Sequence, residues 1–517
     1  MSNGKVIIIG GGVSGLTSGI YLRGNGYETV IIDLNHTLGG ACTGWVRKGC
    51  YIDGCIHWLT GTNTNSSYNE LWTDTHAILP NTDIYVQEDF SVFDFGGGKK
   101  ITIWADIDKL ENELLTFAPE DAKEIKKFCK MIRRFQTIEG PVDKPVDMMG
   151  LGQLIYIGLA MVGDYYWANK TAKIDAAEYG KRFTNKYIRK IFETYMAPGY
   201  NLMSMLYMLA HVTDKNGGIP IGGSKAMADR MAAYYTSLGG KAMLGKEVEE
   251  VLIDSGRAYG VRLKSGEIIR ADWVVSATPV ETCLKKLLKD QYKVKSIEER
   301  LADIKKYPIY TFSTVAFKVS EDLSNRPLGR HVFLDKPIEL DKAYDGITFR
   351  NYSYDKTMMR PKGTSVLQAS LMGNDDMYFY WKKFKEDGSY REQKEKFGRI
   401  MQSAVEEICP ELRGKLEIID IITPCTYERY LHSRNGSFQG FIHTSRGKSL
   451  MQKGTIKGLE GFILSGQCIF YSGGLPPAAI TGRFAAQRIC KADGVKFISP
   501  SKEGFRIPDA LRRKSIQ

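Results

Sequence analysis

The chain has 517 residues, which is more than one hydrophobic core of roughly 250–300 residues can organise, so we expect at least two domains. Hydrophobic residues make up 43% and charged residues 25% of the sequence. These fractions are typical of a soluble globular protein and exclude a disordered, collagen-like or coiled-coil chain. The net charge of +12 favours an anionic partner such as a lipid surface, but no nucleic-acid-binding motif accompanies it, so we expect no nucleic-acid partner.

The first predicted elements form a βαβ unit. Lys5–Ile9 predicts a buried strand, a glycine turn follows, and a helix is expected over 14–24. A second strand is expected over 29–33. Beyond residue 100, the predicted elements in chain order are helices over 105–135 and 168–215, short strands within 240–280, an antiparallel sheet over 310–372, an amphipathic helix over 381–408, a strand over 461–465 and a closing helix over Leu475–Ala492.

The glycine turn after the first strand has the G-x-G-x-x-G pattern. Gly10 suits the tight turn, Gly12 lets a pyrophosphate approach the backbone, and Gly15 allows the helix to pack closely on the strand. Val13 and Ser14 begin the helix, whose free N–H groups and dipole attract an anion. The sequence therefore predicts a site for the ADP half of a dinucleotide.

An acidic residue ends the second strand and extends this site. The carboxylate of Asp33 can accept hydrogen bonds from ribose hydroxyls and repels a 2′-phosphate, so NADP is disfavoured here. Leu34 follows it, and a second glycine pair, Gly39 and Gly40, precedes Ala41. We expect all five residues to contact the dinucleotide.

A second glycine-rich junction between a strand and a helix lies near the C-terminus. The late strand runs into Gly466 and Gln467, and Gly474, Leu475 and Pro476 open the closing helix. Such a junction can place backbone N–H groups and a helix dipole near the ribityl chain and the N1–C2=O edge of a flavin. We therefore expect the dinucleotide to be FAD, bound non-covalently, rather than NAD.

Because the two glycine-rich regions lie far apart in the chain, we expect a discontinuous domain. The predicted fold class is α/β, with an FAD-binding Rossmann-like domain of the three-layer, glutathione-reductase type interleaved with an α+β substrate domain that contains an antiparallel sheet and helices. The predicted boundaries are 1–75, 215–290 and 455–495 for the FAD-binding domain, 76–214 and 291–454 for the substrate domain, and 496–517 for a C-terminal tail.

Four sequence blocks span most of the chain. They are Gly10–Gly15 with Asp33, Gly39-Gly40 and 51–57 (YIDGCIH); 219–228 (IPIGGSKAMA) with 246–251; 423–430 (TPCTYERY) with 436–440 (GSFQG); and 464–474 with Pro476. Together they resemble the phytoene desaturase, carotenoid isomerase and retinol saturase group of flavoproteins, which are relatives of the amine oxidases. The resemblance implies that the backbone near Val248 holds the adenine, and the third block is similar to the saturase and isomerase branch.

Three positions depart from that family's pattern. Asp33 stands where a glutamate is usual, Ala41 replaces the arginine that follows the glycine pair, and Gln467 replaces an aspartate expected near the ribityl chain or pyrophosphate. A glutamine amide both donates and accepts hydrogen bonds, so we expect flavin binding to survive the third change.

The resemblance implies an FAD-dependent oxidoreductase that exchanges hydride between flavin N5 and a C–C or C=C unit of a lipophilic polyene or isoprenoid. A desaturase, a saturase and a cis-trans isomerase acting on carotenoid-like or retinoid-like molecules all fit. Only one complete glycine fingerprint occurs, so NAD(P)H is expected at most as a transient donor, with oxygen or a quinone as other electron routes. His57 and Tyr471 are the candidate proton donors, and a structural role is equally open for His57.

Three alternatives remain open. A flavin amine oxidase would have paired aromatic residues facing the ring and no apolar tunnel; the others are a flavin-dependent fatty-acid double-bond isomerase and a non-catalytic flavoprotein that carries lipid. Some apolar segments suit either a substrate lining or ordinary core. They contain Tyr195, Met196, Met203, Met205, Tyr207, Met208 and 377–381.

The nine cysteines have irregular spacing, which predicts reduced thiols of a cytoplasmic protein and no metal site. No run reaches the roughly 18–20 apolar residues that span a bilayer. The most apolar segment, 148–167, contains Gln153 and Asp164, so it predicts a buried helix or one that docks on a membrane surface. Peripheral membrane association is therefore a further expectation, and the sequence predicts no particular oligomeric state.

Overall fold

The computed structural model describes residues 2–139, 142–196, 198–448, 451–470 and 473–502, and for 156–161 the backbone alone. In chain order its strands are β1 (Lys5–Ile9), β2 (Glu28–Asp33), β3 (Gly44–Arg47), β4 (Cys50–Asp53), β5 (Leu59–Thr60), β6 (Ile84–Tyr85), β7 (Asp89–Asp94), β8 (Lys100–Trp104), β9 (Gly217–Pro220), β10 (Lys241–Leu244), β11 (Val248–Asp254), β12 (Arg257–Leu263), β13 (Ile268–Arg270), β14 (Trp273–Ser276), β15 (Thr311–Val319), β16 (Gly329–Glu339), β17 (Ala343–Asn351), β18 (Ser365–Gly373), β19 (Leu416–Ile422) and β20 (Phe462–Leu464).

Some helices lie between strands along the chain, whereas the helices between β8 and β9 follow one another without a strand among the described residues. In chain order they are α1 (Val13–Gly24), α2 (Ser67–Asp74), α3 (Ile107–Phe117), α4 (Ala122–Phe135), α5 (Leu151–Ala172), α6 (Ala176–Gly180), α7 (Lys186–Thr194), α8 (Leu202–Thr213), α9 (Gly223–Ser237), α10 (Lys295–Ala302), α11 (Asp375–Glu386), α12 (Tyr390–Ile408), α13 (Pro424–Leu431) and α14 (Leu475–Ala492).

A parallel sheet with the strand order β10-β2-β1-β14-β20 organises one part of the molecule. Its inner strands are short apolar runs that are largely buried, as parallel strands usually are, whereas the edge strand β10 is mostly exposed. Val6 and Ile8 face a helical layer that includes α1 and α14. Ile7 and Ile9 face the opposite layer, which contains the antiparallel sheet β11-β12-β13. These three layers confirm the predicted Rossmann-like fold class.

The strands of this sheet come from three distant stretches of the chain. β1 and β2 come from the first predicted segment, β10 and β14 from the second, and β20 from the third. In a parallel sheet the carboxyl ends of all strands lie at one edge, which is where ligands of such sheets bind. The glycine turn after β1, the end of β2 and the turn after β20 therefore meet at this edge. The residue-level domain boundaries stay predictions.

A seven-stranded sheet with the order β19-β15-β18-β17-β16-β7-β8 forms the second large layer. Its neighbouring strands are antiparallel except for β16 and β7. One face is apolar: Phe317 and Leu371 pack against α11 and α12 through Trp381 and Phe397. The prediction of an antiparallel sheet within 310–372 is thus confirmed, but β7, β8 and β19 also belong to the sheet, and no local pattern indicated that.

The predicted helix over 381–408 is wrong in one respect, because two helices cover this region. α11 ends at Glu386 and α12 begins at Tyr390. Between them Gly388 has a φ of +84°, a left-handed conformation that glycine adopts without steric cost. The charged pattern continues through the break, and periodicity alone therefore missed it.

The helices α3, α4, α7 and α8 enclose a third core of aromatic and aliphatic side chains. α5 packs against this core through Trp167 and exposes several large apolar side chains elsewhere along its length. Within the residues described here, no helix has both the length and the apolar character needed to cross a membrane.

Candidate active site

A cavity of about 730 Å³ lies between the ligand-binding edge of the parallel sheet and one face of the seven-stranded sheet. Its volume falls in the range of small-molecule sites, roughly 300–1,000 Å³. Most of the residues predicted from the sequence line it. These are Gly10, Gly12, Val13, Ser14, Asp33, Leu34, Gly39, Gly40, Ala41, His57, Gly466, Gln467, Gly474, Leu475 and Pro476.

Two predicted residues of the described chain, Gly15 and Val248, are not part of this lining. Gly15 is buried beneath the glycine turn, where a side chain would overlap the carbonyl oxygen of Gly10. This close approach leaves no room for a side chain at Gly15. Val248 is buried at the start of β11, outside the cavity wall. Tyr471 lies outside the described residues, and its role stays a prediction.

The glycine turn leaves open space where a pyrophosphate is expected. Gly10 has a φ of +97°, which favours glycine. Apart from its chain neighbours, the described residue nearest to a Cβ added at Gly12 is Gly40, whose Cα would lie 3.8 Å away. The first amides of α1 have no intrahelical acceptor, as at every helix start. This open cradle of N–H groups fits an anionic phosphate group.

Asp33 holds the glycine turn in shape while it lines the cavity. Its Oδ2 accepts a hydrogen bond of 2.7 Å from the backbone N–H of Gly11, and its Oδ1 accepts one of 2.7 Å from Asn35. Each carboxylate oxygen has a second lone pair. The side chain can therefore order the loop and still accept a ribose hydroxyl.

The Gly39-Gly40 pair docks directly on the glycine turn. The N–H of Gly39 donates to the carbonyl of Gly11 at 2.8 Å. Gly40 has a φ of +59°, and a Cβ there would approach the Cα of Gly12 to 2.9 Å. Both glycines are thus required by close backbone approach, and the pair lines the cavity together with Ala41.

Gln467 lines the cavity and joins three segments of the chain. Its Oε1 accepts a hydrogen bond of 2.8 Å from the N–H of Gly474, and its Nε2 donates one of 3.1 Å to the carbonyl of Phe438. An ionised aspartate could accept but could not donate. The departure from the family pattern therefore links the closing turn to the third sequence block.

The start of α14 offers fewer free amides than the sequence suggested. Pro476 and Pro477 occupy its first turn and have no N–H group. The N–H of Ala478 donates to Gly474 at 3.2 Å. Leu475 therefore supplies the remaining N–H of this turn, and the helix dipole adds its positive end.

A buried carboxylate connects the first and second sequence blocks. Asp53 accepts hydrogen bonds from the N–H and the hydroxyl of Ser224, at 2.7 and 2.6 Å. The same hydroxyl oxygen accepts from the N–H of Ile56 at 2.7 Å. Burial raises the pKa of Asp53, and the hydrogen bonds from Ser224 oppose that change. This cluster fixes the chain immediately before His57.

His57 lines the cavity but does not titrate near neutral pH. Burial, and secondarily the charge of Arg350, lower the pKa of His57 to about 3. The expected acid is therefore a neutral imidazole at physiological pH, because its protonated form would need a much lower pH. A neutral imidazole can still donate or accept one hydrogen bond at the substrate.

Of the apolar residues predicted to form either a substrate lining or ordinary core, some line the cavity and others lie in the hydrophobic cores. Tyr195, Met196, Met203, Tyr207 and Met208 line the cavity. In contrast, Met205 is buried in the core formed with α4 and α7, and Met377 and Trp381 pack behind the seven-stranded sheet. The cavity thus extends from the dinucleotide site into a region with flexible, apolar walls that suit a long hydrocarbon.

The opposite wall is the polar face of the seven-stranded sheet, which no sequence motif indicated. Arg350 and Thr348 alternate along β17, and Gln368 and Ser370 lie opposite them on β18. His331, opposite Thr348 on β16, completes this face. The only local signal was the alternation of polar and apolar residues along β17.

Aromatic side chains gather where the sheet meets the third sequence block. Phe312 and Phe438 are stacked, with ring centroids 5.0 Å apart and planes at 18°. Tyr310 and Tyr427 contact Phe438 at 5.1 and 6.0 Å. All four line the cavity. The cavity therefore contains an aromatic pair, as the amine oxidase alternative requires. It also has an apolar extension, which that alternative does not predict.

The described part of the chain contains no group of three or more His, Cys, Asp or Glu side chains able to hold a metal ion. All nine cysteines are free thiols. The prediction of reduced thiols is consistent with this arrangement.

Comparison with known proteins places the chain in a family. The family model for flavin containing amine oxidoreductase matches residues 13–490. A phytoene desaturase (neurosporene-forming) from Rhodobacter capsulatus is 23% identical over 94% of this chain and 94% of its own length. An all-trans-retinol 13,14-reductase from Danio rerio is 20% identical over 90% of this chain and 83% of its own length.

The fold has solved relatives as well. Cyclohexylamine oxidase from Brevibacterium oxydans superposes with a TM-score of 0.58 at 14% sequence identity, over 95% of this chain and 99% of that chain. The resemblance inferred from the four sequence blocks is thus confirmed. The chain belongs to the family of flavin containing amine oxidoreductases.

Proposed function

We propose that this flavoenzyme uses FAD to exchange hydride with a C–C or C=C unit of a long, unsaturated, lipophilic molecule such as a polyene or isoprenoid. The observation that carries the proposal is the single cavity that joins the glycine cradle to an extension walled by methionine and tyrosine. Desaturation, saturation and isomerisation of such a molecule all fit this site, and the relatives named above are a desaturase and a reductase.

The residues present fit FAD, because the open space at Gly12 and the free amides of α1 suit its pyrophosphate. Asp33 would accept from the ribose hydroxyls, and the backbone near Val248 would hold the adenine. Gly466, Gln467 and Leu475 would lie along the ribityl chain and the flavin edge. When bound, FAD supplies a two-electron acceptor at its N5 atom.

The chain's own residues then orient the substrate and exclude water. The methionine and tyrosine walls desolvate a hydrocarbon chain, and the stacked pair Phe312 and Phe438 flanks it. His57, neutral at physiological pH, holds a hydrogen bond at the reacting end. A small amine substrate is disfavoured, because the guanidinium of Arg350 in the same cavity would repel its ammonium group.

α5 supports a membrane-surface location for this chemistry. Leu151, Ile155, Val162 and Tyr165 are 74, 55, 63 and 72% exposed, and Tyr165 also lines the cavity. An exposed apolar helix at a cavity mouth suits the transfer of a lipophilic substrate from a bilayer. Sedimentation with anionic vesicles tests this: Leu151→Ser should weaken binding, while Leu244→Ser on β10, 36% exposed, should not.

Anaerobic reduction of the purified protein tests the proposed function. The flavin is titrated with NADH, NADPH and a panel of polyenes, and then reoxidised with oxygen, a quinone or an unsaturated acceptor. Rapid reduction by NAD(P)H would support a saturase with a transient nicotinamide donor, whereas reduction by a polyene alone would support a desaturase. Reduction by simple amines and by no polyene would overturn the proposal in favour of an amine oxidase.

A further inference from the structure

Arg350 places a positive charge in the wall of an otherwise mostly apolar cavity. It lies on β17, with Gln368 of β18 and Gly329 of β16 as its neighbours in the sheet. Its Nη1 is buried and has no hydrogen-bond partner among the described residues. Burial lowers the pKa of Arg350, but an arginine stays protonated in any protein environment.

No carboxylate of the described residues forms an ion pair with Arg350, and the groups that oppose the lowering of its pKa are tyrosine phenols, first that of Tyr352. The other arginine of the cavity wall, Arg434, pairs with Glu281 at 3.9 Å and donates to the carbonyl of Leu301 at 3.0 Å. Arg330, on the same strand as His331, donates to Asp94 at 2.7 Å. Arg350 is therefore exceptional, because an unpaired buried charge is costly and proteins normally neutralise it.

Two tyrosine hydroxyls near this charge also lack partners. The Oη atoms of Tyr195 and Tyr352 are buried without a hydrogen-bond partner among the described residues. The charge of Arg350 opposes the burial that raises the pKa of each. Tyr195 also lines the cavity. A guanidinium and two phenol groups without partners form a set of donors with no acceptor.

The imidazoles of this wall add hydrogen-bonding capacity without adding charge. Burial, and secondarily Arg350, lower the pKa of His331 to about 3, as they do for His57. The Nδ1 of His331 is 3.1 Å from the hydroxyl of Thr348, and its ring stacks on Phe93 at 4.6 Å. One guanidinium thus carries the only uncompensated cationic charge of the described cavity wall, which matches a ligand group with one negative charge.

We propose that Arg350 binds a carboxylate of the substrate, so that the enzyme acts on an unsaturated carboxylic acid rather than on a neutral hydrocarbon or alcohol. This inference rests on the proposed function and narrows its substrate class. A carboxylate has two oxygens that accept hydrogen bonds from a guanidinium and from phenol hydroxyls. The hydrocarbon chain of the acid then extends along the methionine and tyrosine walls toward the dinucleotide site.

Binding of matched acid and alcohol probes to the FAD-loaded protein tests the inference. The probes are oleate against oleyl alcohol and retinoate against retinol, with affinity measured by calorimetry and by perturbation of the flavin absorbance. We expect each acid to bind about 10- to 100-fold more tightly than its alcohol, as for a charged hydrogen bond. The affinity should stay constant from about pH 6 to about pH 9, because arginine does not titrate there.

Variants assign the preference to one residue. Arg350→Met should reduce the affinity for both acids to that for the alcohols, Arg350→Lys should retain part of the preference, and Tyr195→Phe should reduce it less than Arg350→Met does. The surface variant Arg257→Met, half-exposed, removes the same net charge elsewhere and should leave the preference unchanged. Circular dichroism and flavin content report whether each variant is folded.

Three results would overturn the inference. Acids that bind no more tightly than alcohols, or an acid preference that survives in Arg350→Met, would show that Arg350 does not recognise a carboxylate. A change in the flavin reduction potential of Arg350→Met, with no change in acid preference, would assign the charge to the flavin. Turnover of neutral polyenes in these cases would leave the proposed function intact, whereas failure to bind FAD would contradict the proposed function itself.

Discussion

Replacing Gly12 with alanine separates the cofactor-binding role of the glycine turn from its structural role. An alanine Cβ at this position would lie 3.8 Å from the Cα of Gly40 and 3.9 Å from the carbonyl oxygen of Gly39, which is ordinary van der Waals contact. The φ of Gly12 is −71°, which alanine adopts freely. The folded protein without FAD should therefore tolerate the methyl group.

The same methyl group occupies the space through which a pyrophosphate reaches the first amides of α1. Displacing the phosphate weakens one or two charge-assisted hydrogen bonds, each of which contributes about 1.5–3 kcal/mol. We therefore expect Gly12→Ala to weaken FAD binding by about 2–4 kcal/mol, or roughly 30- to 1,000-fold. Gly15→Ala differs, because its Cβ would overlap the carbonyl oxygen of Gly10 and should destabilise the protein with or without FAD.

The assay is titration of FAD into protein from which the flavin has been removed, followed by flavin fluorescence and by thermal unfolding. Gly152→Ala in α5 is the control, because a Cβ there meets no atom within 4 Å and lies outside the cavity lining. Unchanged FAD affinity in Gly12→Ala, with a normal melting temperature, would refute the assignment of this turn to the pyrophosphate.

Three further substitutions test other parts of the account. Arg350→Met should raise the stability of the ligand-free protein by about 1–3 kcal/mol, because it removes an unpaired buried charge; a lower melting temperature would show that the guanidinium is structural. Gln467→Glu should lower the retention of FAD on gel filtration at least about threefold, because the ionised side chain cannot donate to Phe438; unchanged retention would contradict this. The pKa of His331 in the folded protein is about 3, so on acidification the unfolded chain binds the proton first and acid favours unfolding. His331→Asn should therefore make the loss of unfolding free energy below about pH 6.5 less steep, by up to about 1.4 kcal/mol per pH unit. An unchanged acid-unfolding curve would contradict that pKa.

Features encoded in short stretches of sequence were predictable. The turn from β1 into α1 depends on residues within a few positions of one another, and so the roles of Gly10 and Gly15 follow from spacing alone.

The polar wall of the substrate cavity was not predictable in the same way. It depends on the register that places Arg350 opposite Gln368 and His331 opposite Thr348, and on the loop that brings Tyr195 to this sheet. Strand register is set by contacts between segments distant in sequence. The missing partner of Arg350 is likewise a property of the assembled cavity, and no local pattern reports it.

The most direct test of the central claim is the flavin absorbance of the purified protein during anaerobic addition of an unsaturated carboxylic acid, or of NADPH followed by that acid. We expect one non-covalently bound FAD per chain, released by denaturation. In a desaturase or saturase the acid should bleach or restore its oxidised spectrum in proportion to product formed, whereas an isomerase should convert the acid without net bleaching. A protein that lacks flavin and takes up none from solution, or a bound flavin whose spectrum responds only to amines, would contradict it.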